Sequence, residues 1–150
     1  KNMWGLEGDV DTAETVVIGE ARTRTHGDDV TIVSWSQTAN FAVEAAETLA
    51  GEGIGAQVVD LRSLWPWDKN AVLDSVNKTG RLIVAHESVA VGGFGAEVVA
   101  IVSEKVGAAL QGRVRRLGAP RALIAYAPNL ENKMRVTAEM IVDAARDLMQ

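Results

Sequence analysis

The amino-acid sequence predicts an α/β domain of three layers, with helices on both faces of a five-stranded, mostly parallel sheet. Five short apolar segments alternate with segments of helical periodicity, and this alternation is typical of a parallel sheet. Residues 30–36 (VTIVSWS) are apolar almost throughout, as expected of a strand that is covered on both faces. A chain of 150 residues is long enough to bury about 70% of its unfolded surface as one domain.

The strands are predicted from short runs of apolar and β-branched residues. They cover residues 15–21, 30–36, 56–61, 81–86 and 114–117. The first strand (TVVIGEA) is followed by a turn at residues 23–29 and has no helix behind it. It can therefore pair antiparallel at an edge of the sheet.

The helices are predicted from apolar residues at helical spacing and from signals at the helix ends. They cover residues 37–50, 69–79, 95–110 and 132–149. Ser36 or Thr38 can cap the first helix, and Asp68 can cap the second, which Gly80 ends. A long loop with two prolines, at residues 118–131, precedes the last helix.

Composition excludes several classes of function. The net charge is −5 without any basic block, so nucleic acid and anionic membranes are poor partners. The absence of cysteine excludes disulfides, thiolate metal sites and cysteine nucleophiles. No apolar run approaches the roughly 18 residues that span a bilayer.

The pair His86-Glu87 is the strongest candidate for chemistry, because it follows a predicted strand. A histidine beside a carboxylate can act as a general acid or base near neutral pH. Such pairs need a third, orienting group, and the sequence offers none. A histidine bonded within its own loop is therefore the favoured interpretation. Ser34 and Ser36 lie outside any G-x-S-x-G motif and are not predicted to be nucleophiles.

Two further segments suit binding. Gly92, Gly93 and Phe94 open a helix with Gly95, where backbone amides can hold an anion, although the pattern fits neither known phosphate-binding motif. Glycine here is explained as well by backbone freedom or close packing. Trp65 and Trp67 flank Pro66 in residues 60–68 (DLRSLWPWD). They form either an interface anchor or a local cap over the sheet edge.

Four segments, in this order, resemble one protein family. They are residues 29–36 (DVTIVSWS), 60–68 (DLRSLWPWD), 79–87 (TGRLIVAHE) with 92–97 (GGFGAE), and 116–120 (RLGAP). Together they are similar to the C-terminal domain of the β subunit of 2-oxo acid dehydrogenase E1 components, which include the pyruvate, branched-chain and acetoin enzymes. Residues 1–5 (KNMWG) also resemble the end of the linker that precedes this domain in the family.

The resemblance implies a transketolase C-terminal-like fold, with a five-stranded mixed sheet and one antiparallel edge strand. Residues 1–15 would be a linker arm from an upstream pyrimidine-binding domain, and residues 16–150 the folded domain. The parent enzyme would decarboxylate a 2-oxo acid with thiamine diphosphate and magnesium and pass the acyl group to lipoyl-E2. Because other domains bind that cofactor in the family, no catalytic, cofactor-binding or metal-binding residue is expected here, and the isolated chain should be inactive.

The expected partners are the E1 α subunit, a second E1 β subunit or the upstream domain, and the E2 acyltransferase. Residues 122–126 (ALIAY) keep the family's tyrosine but lack its two prolines, and either Leu110 or Gln111 stands where some pyruvate-type members carry an acidic residue for E2. The expected location is the cytoplasm, or the mitochondrial matrix in a eukaryote.

Seven residues are predicted to build or support subunit contacts. They are Trp65, Trp67, His86, Glu87, Gly92, Gly93 and Phe94. Two alternatives to the assembly function remain open: the C-terminal domain of a transketolase or deoxyxylulose-phosphate synthase, and a stand-alone, non-catalytic binding module.

Overall fold

The computed structural model describes residues 3, 5, 7–9, 13 and 15–150. Its strands form one sheet in the order β1-β3-β2-β4-β5. They are β1 (Arg22–Thr25), β2 (Val30–Ser34), β3 (Ala56–Asp60), β4 (Leu82–Val89) and β5 (Arg115–Ala119). β1 pairs antiparallel with β3, and the other pairs are parallel. The predicted class, the number of strands and the antiparallel edge strand are thus confirmed.

Helices cover both faces of the sheet and divide the core into two halves. They are α1 (Gln37–Gly51), α2 (Lys69–Thr79), α3 (Gly95–Val106), α4 (Pro128–Asn132) and α5 (Ala138–Leu148). α1 and α5 pack on one face together with Ile32, and α2 and α3 pack on the other together with Val33. All five residues of β2 are buried, because successive side chains of this central strand point to opposite, covered faces.

A cluster of three buried hydroxyl groups joins α2 to β2. The Thr31 hydroxyl lies 2.7 Å from that of Ser75 and 2.7 Å from that of Thr79. All three residues are at most 2% exposed. Buried polar groups need such partners, so these bonds fix the position of α2 on the sheet.

The predicted first strand is wrong in position. Residues 15–21 contain no strand, and the edge strand β1 (Arg22–Thr25) overlaps the predicted turn at residues 23–29. Side-chain bonds explain the difference, since the Thr25 hydroxyl donates to Ala56 O (2.8 Å) and accepts from Val58 N (3.1 Å) across an irregular register. Residue propensities do not report such bonds.

Hydrogen bonds also hold the preceding segment away from the sheet. Gly19 N donates to the Ser63 hydroxyl (2.9 Å), and Ala21 N donates to the Asp68 carboxylate (3.1 Å). Their backbone donors are therefore used by the loop before α2 and not by a neighbouring strand.

Three other boundaries differ from the prediction by three residues or more. β4 continues to Val89, because Val89 pairs with Ala119 beyond an irregularity in the ladder. α3 ends at Val106 and is followed by a 3₁₀ turn at Gly107–Ala109. The predicted last helix at residues 132–149 begins only at Ala138, after a separate short helix, α4, in the predicted loop.

The predicted caps of α2 are confirmed, whereas the cap of α1 is not. The Asp68 carboxylate accepts from Ala71 N (3.0 Å), and Gly80 ends α2 with a φ of 67°. Ser36 precedes α1 but makes no side-chain bond to the helix. The hydroxyl of Thr38 is buried and has no hydrogen-bond partner among the described residues.

The predicted linker arm lies largely outside the described residues. Residues 1, 2, 4, 6, 10–12 and 14 belong to it and are not among them. The arm therefore stays a prediction.

Candidate functional site

The topology opens a crevice between the carboxyl ends of β2 and β4. From β2 the chain crosses through α1 to β3 on one side, whereas β4 lies on the other side of β2. Ligands of open α/β sheets bind where neighbouring connections diverge in this way. The crevice is therefore the place in this fold where a ligand or partner is expected.

A cleft of about 780 Å³ lies along this edge of the sheet. Its apolar wall includes Phe41 of α1, Val89 of β4 and Ile124 from the loop after β5. Polar groups come from Gln37, Glu87 and the ion pair of Glu131 and Arg135. The volume and the mixture of an apolar wall with a few polar groups are typical of small-molecule sites.

Ser36 and Glu87 connect the two strand ends. The Ser36 hydroxyl donates to Glu87 Oε2 over 3.1 Å. Ser36 has a φ of 57° and a ψ of −145°, a backbone conformation that is uncommon for a residue other than glycine. Ser34, two residues earlier at the end of β2, is buried and donates to Ala85 O, so its hydroxyl is used within the sheet.

His86 is fully buried beneath the glycine turn. Its Nδ1 lies 3.0 Å from Ser88 O, and because a carbonyl only accepts, Nδ1 carries the proton. Its ring stacks on Trp35 with centroids 5.0 Å apart and an interplanar angle of 18°. Nε2 has no hydrogen-bond partner in the described part of the chain. The histidine is thus bonded within its own loop.

Burial keeps His86 neutral. Removal from water lowers the pKa of the imidazole below its usual value, and the nearby charge of Arg116 lowers it further against the opposing effect of the Ser88 carbonyl. Neither ring nitrogen is bonded to the Glu87 carboxylate in the described residues. The two neighbours therefore do not form the acid–base pair that the sequence allows.

Two glycines let the turn close over the imidazole. A Cβ at Gly95 would lie 2.5 Å from His86 Nε2, and a Cβ at Gly93 would lie 2.9 Å from His86 Cε1 and within 2.2 Å of Val89 O. Gly92 has a φ of 74°, which favours glycine. These glycines serve close packing and turn geometry, since the buried Gly93 and Gly95 lie directly against the imidazole ring.

The two tryptophans of the loop before α2 have different surroundings. Trp67 is 5% exposed and packs edge-on against Phe94, with centroids 6.0 Å apart. Phe94 also meets the ring of Trp35 edge-on at 5.7 Å. Trp65, in contrast, is 83% exposed. One tryptophan caps the core, and the other presents its ring to the surface.

The seven predicted contact residues are therefore divided between core and surface. Trp67, His86 and Gly93 are buried within the chain and Phe94 is half-buried, whereas Trp65, Glu87 and Gly92 are exposed. The buried residues of this set pack in the core beneath the exposed ones.

A second exposed apolar segment follows β5 and was not predicted as a site. Leu123, Ile124 and Tyr126 are 96%, 80% and 101% exposed. The sequence did contain a signal for this segment. Two aliphatic residues lie close to a tyrosine in a region that was predicted to be a loop because of its two prolines. Trp35, which stacks on His86, was also missed, because its position in a strand suggested core packing only.

The described residues do not fit a thiamine diphosphate–magnesium site. They contain no group of three or more His, Cys, Asp or Glu side chains placed to hold a metal, and oxygen-rich clusters are what magnesium requires. The charged groups of the cleft are two carboxylates and one arginine that is already paired, a poor match for a diphosphate. None of the helices in the described part of the chain is long and apolar enough to cross a membrane.

Two curated relatives show what kind of protein this chain is similar to. The β subunit of acetoin:2,6-dichlorophenolindophenol oxidoreductase from Cupriavidus necator is 38% identical over 151 aligned residues, which cover 100% of this chain and 45% of the relative. The mitochondrial β subunit of the pyruvate dehydrogenase E1 component from Dictyostelium discoideum is 38% identical over 135 residues, which cover 90% of this chain and 38% of the relative. The chain thus spans less than half the length of these relatives.

A solved structure agrees with the fold. A split-gene transketolase, described as an inactive β4 tetramer, superimposes with a TM-score of 0.83 at 30% identity, and the match covers 97% of this chain and 47% of that chain. The family model described as the transketolase C-terminal domain matches residues 19–141, which include all five strands. This chain therefore belongs to the transketolase C-terminal domain family, with homologues among the β subunits of 2-oxo acid dehydrogenase E1 components.

Proposed function

We propose that this chain is the subunit-assembly and partner-binding domain of a 2-oxo acid dehydrogenase E1 β subunit. The observation that carries the proposal is the pairing of an intact, well-packed core with exposed aromatic and aliphatic side chains on two loops. Trp65 stands on one loop, and Leu123, Ile124 and Tyr126 stand on the other. Exposed clusters of this kind mark protein–protein contacts.

The side chains described above support a role in subunit contacts better than a role in catalysis. His86 is neutral and buried, and its Nδ1 donates to Ser88 O. The cleft does not fit thiamine diphosphate. Tyrosine and tryptophan supply large contact area at a small cost in side-chain entropy. The surfaces are thus better suited to holding other subunits than to performing a reaction.

The parent enzyme, in this proposal, decarboxylates a 2-oxo acid with thiamine diphosphate and magnesium bound by other domains and passes the acyl group to lipoyl-E2. The partners are the E1 α subunit, a second E1 β subunit or the pyrimidine-binding domain that residues 1–15 would join, and E2. The location is the cytoplasm or the mitochondrial matrix; one relative is a mitochondrial subunit.

Two measurements on the 150-residue chain test this proposal. Calorimetric titration with thiamine diphosphate and magnesium is expected to give no heat of binding at micromolar concentration. Addition of the chain to the E1 α subunit and the remaining part of E1 β from the same source is expected to restore decarboxylation. Micromolar cofactor binding by the chain alone would contradict the proposal, as would a failure to bind any E1 component.

A transketolase-type parent is the second candidate, and one observation favours it. The solved structure with a TM-score of 0.83 is a split-gene transketolase, although the curated dehydrogenase subunits are more similar in sequence, at 38% against 30%. Reconstitution separates the two, because a dehydrogenase parent consumes a 2-oxo acid, whereas a transketolase parent transfers a two-carbon unit between sugar phosphates.

A further inference from the structure

The cleft at the carboxyl edge of the sheet carries one carboxylate that no cation neutralises. Among the residues that the structure describes, no lysine, arginine or histidine nitrogen lies within 4.0 Å of the Glu87 carboxylate. Its hydrogen bond comes from the Ser36 hydroxyl, a neutral group, at 3.1 Å. A neutral donor leaves the negative charge available to a ligand.

The other charges of the cleft cancel each other. Arg135 Nη2 lies 2.6 Å from Glu131 Oε1, one helical turn apart in sequence. Both side chains line the same cleft as Glu87. The lining therefore has a net charge of about −1, located at Glu87.

Apart from Gln37 and Ser88, the rest of the wall is apolar. Phe41, Val89, Ile124, Met134 and Val136 contribute to it. An apolar wall buries aliphatic carbon at about 25 cal/mol per Å², whereas Glu87 can accept a charge-assisted hydrogen bond from an ammonium group. The two features together select a molecule with an aliphatic body and a cationic end.

The place of the cleft in the fold supports a ligand site. One end of it, at Gln37 and Glu87, lies beside the divergence of the connections from β2 and β4, where open α/β sheets bind ligands. Ser36, which orients Glu87, has the strained φ of 57°, and such strain is concentrated at binding and catalytic sites.

From the geometry we propose that this cleft binds a small aliphatic amine, with the ammonium group on the Glu87 carboxylate and the alkyl chain along Phe41 and Val89. The occupant is a free small molecule, because the apolar wall and the single charge match one short amphiphilic cation. The site borders the proposed assembly surface of Leu123, Ile124 and Tyr126 and shares Ile124 with it, and it does not depend on the identity of the parent enzyme.

The test is a titration of the ¹⁵N-labelled 150-residue chain, followed by amide chemical shifts. The probes are n-pentylamine, pentan-1-ol and pentanoate, which share the alkyl chain and differ in the charge of the end group. Pentylamine is expected to shift amides of the cleft, at Gln37, Phe41 and Val89, and to bind about tenfold more tightly than pentanol because of the charged contact. Pentanoate is expected to bind most weakly.

Matched variants locate the charge. Glu87→Gln keeps the shape and removes the carboxylate, so pentylamine affinity should fall about tenfold while pentanol affinity stays the same. Glu104→Gln removes an exposed carboxylate of α3 outside the cleft and should leave both affinities unchanged. Glu131→Gln frees Arg135 and should raise the affinity for pentanoate. The dispersion of the amide spectrum confirms that each variant is folded.

Several outcomes would overturn the proposal. Equal affinity for pentylamine and pentanol would show that the charge does not contribute to binding. Equal changes in pentylamine affinity for Glu87→Gln and Glu104→Gln would show that the amine does not bind at Glu87. Binding of a pentalysine peptide at the same amides without binding of pentylamine would assign the surface to a protein partner.

Discussion

Gly95 has no room for a side chain, because the ring of His86 lies directly against it. A Cβ built there would lie 2.5 Å from Nε2 and 2.6 Å from Cδ2 of the imidazole. Gly95→Ala should therefore lower the free energy of unfolding by about 1–3 kcal/mol, the usual cost of overpacking a core. Urea denaturation of the two proteins measures the difference.

Gly107→Ala is the matched control for this substitution. Gly107 follows α3 with an ordinary helical φ of −55°, and a Cβ there would meet no atom within 4 Å. Its free energy of unfolding should change by less than about 0.5 kcal/mol. Equal effects of the two substitutions would show that the ring does not press on Gly95.

The buried imidazole also predicts how stability depends on pH. The pKa of His86 is lower in the folded chain than its usual value near 6.5, so the unfolded chain binds the proton more readily. The contribution of the neutral ring is complete above pH 6.5 or so and is lost as the pH falls toward the folded pKa. Stability should therefore decrease with acidification below neutral pH.

The substitution His86→Gln removes this titration, so the decrease in unfolding free energy between about pH 7.5 and pH 5 should become smaller. His26→Gln, at an exposed histidine in the turn after β1, is the control and should retain the full decrease. The slope against pH is compared, so a general loss of stability in either variant does not affect the test. Identical slopes in both variants would rule out His86 as the source.

Sequence reasoning at this scale found the important residues but not their contacts. His86, Glu87 and the glycines were recognised because a polar pair follows an apolar run and precedes a glycine turn. The stacking of His86 on Trp35, and the bond from Ser36 to Glu87, join residues about fifty positions apart. Local patterns carry no information about such pairs, so the choice between acid–base chemistry and burial needed the structure.

At the scale of the elements, Asp68 has two separate tasks. Its carboxylate accepts from Ala71 N at the start of α2 and from Ala21 N in the segment before β1. Asp68→Ala removes the cap and the connection together, so the free energy of unfolding should fall by about 1–2 kcal/mol. Asp74→Ala, at an exposed position of the same helix, should change it by less than about 0.5 kcal/mol. Similar losses in both variants, measured by urea denaturation, would contradict this account of α2.

The elements that were predicted correctly are those with strong local signals. β2, β3, α1 and α2 have continuous apolar runs or regular helical spacing, and α2 also has its capping aspartate and terminal glycine. β1 was misplaced because its polar residues (RTRT) pair through the Thr25 side chain, whereas the β-branched residues before it lie in the loop. Residues 118–131 were predicted to be a loop. The short helix α4, which begins in this loop, was missed, because five residues are too few to show a helical period.

At the scale of the whole molecule, two of the most exposed apolar side chains are expected to contribute little to the stability of this chain. Leu123 and Ile124 are 96% and 80% exposed, so the double substitution Leu123→Ser/Ile124→Ser should change the free energy of unfolding by less than about 0.5 kcal/mol. A large loss of stability in urea would mean that these residues pack within the chain.

The family was predictable from the order of four short motifs, and the comparisons confirm it. The proposed assembly surface was predictable only in part: the aromatic loop at Trp65 stands out in the sequence, whereas Leu123, Ile124 and Tyr126 lie in a segment where the chain departs from the family pattern. Their residue types in a predicted loop only suggest a surface, whereas their exposure, which requires the fold, identifies it.

The most direct test of the central claim is sedimentation velocity of this chain mixed with the E1 α subunit and the remaining part of E1 β from the same source. The account predicts one assembled species for the unmodified chain. It also predicts a shift to free components for Trp65→Ser and for Leu123→Ser/Ile124→Ser, with affinity reduced at least about tenfold if these residues are anchors of the contact. The control Glu104→Gln should assemble normally. Normal assembly of both apolar variants, or no assembly of the unmodified chain, would contradict the account.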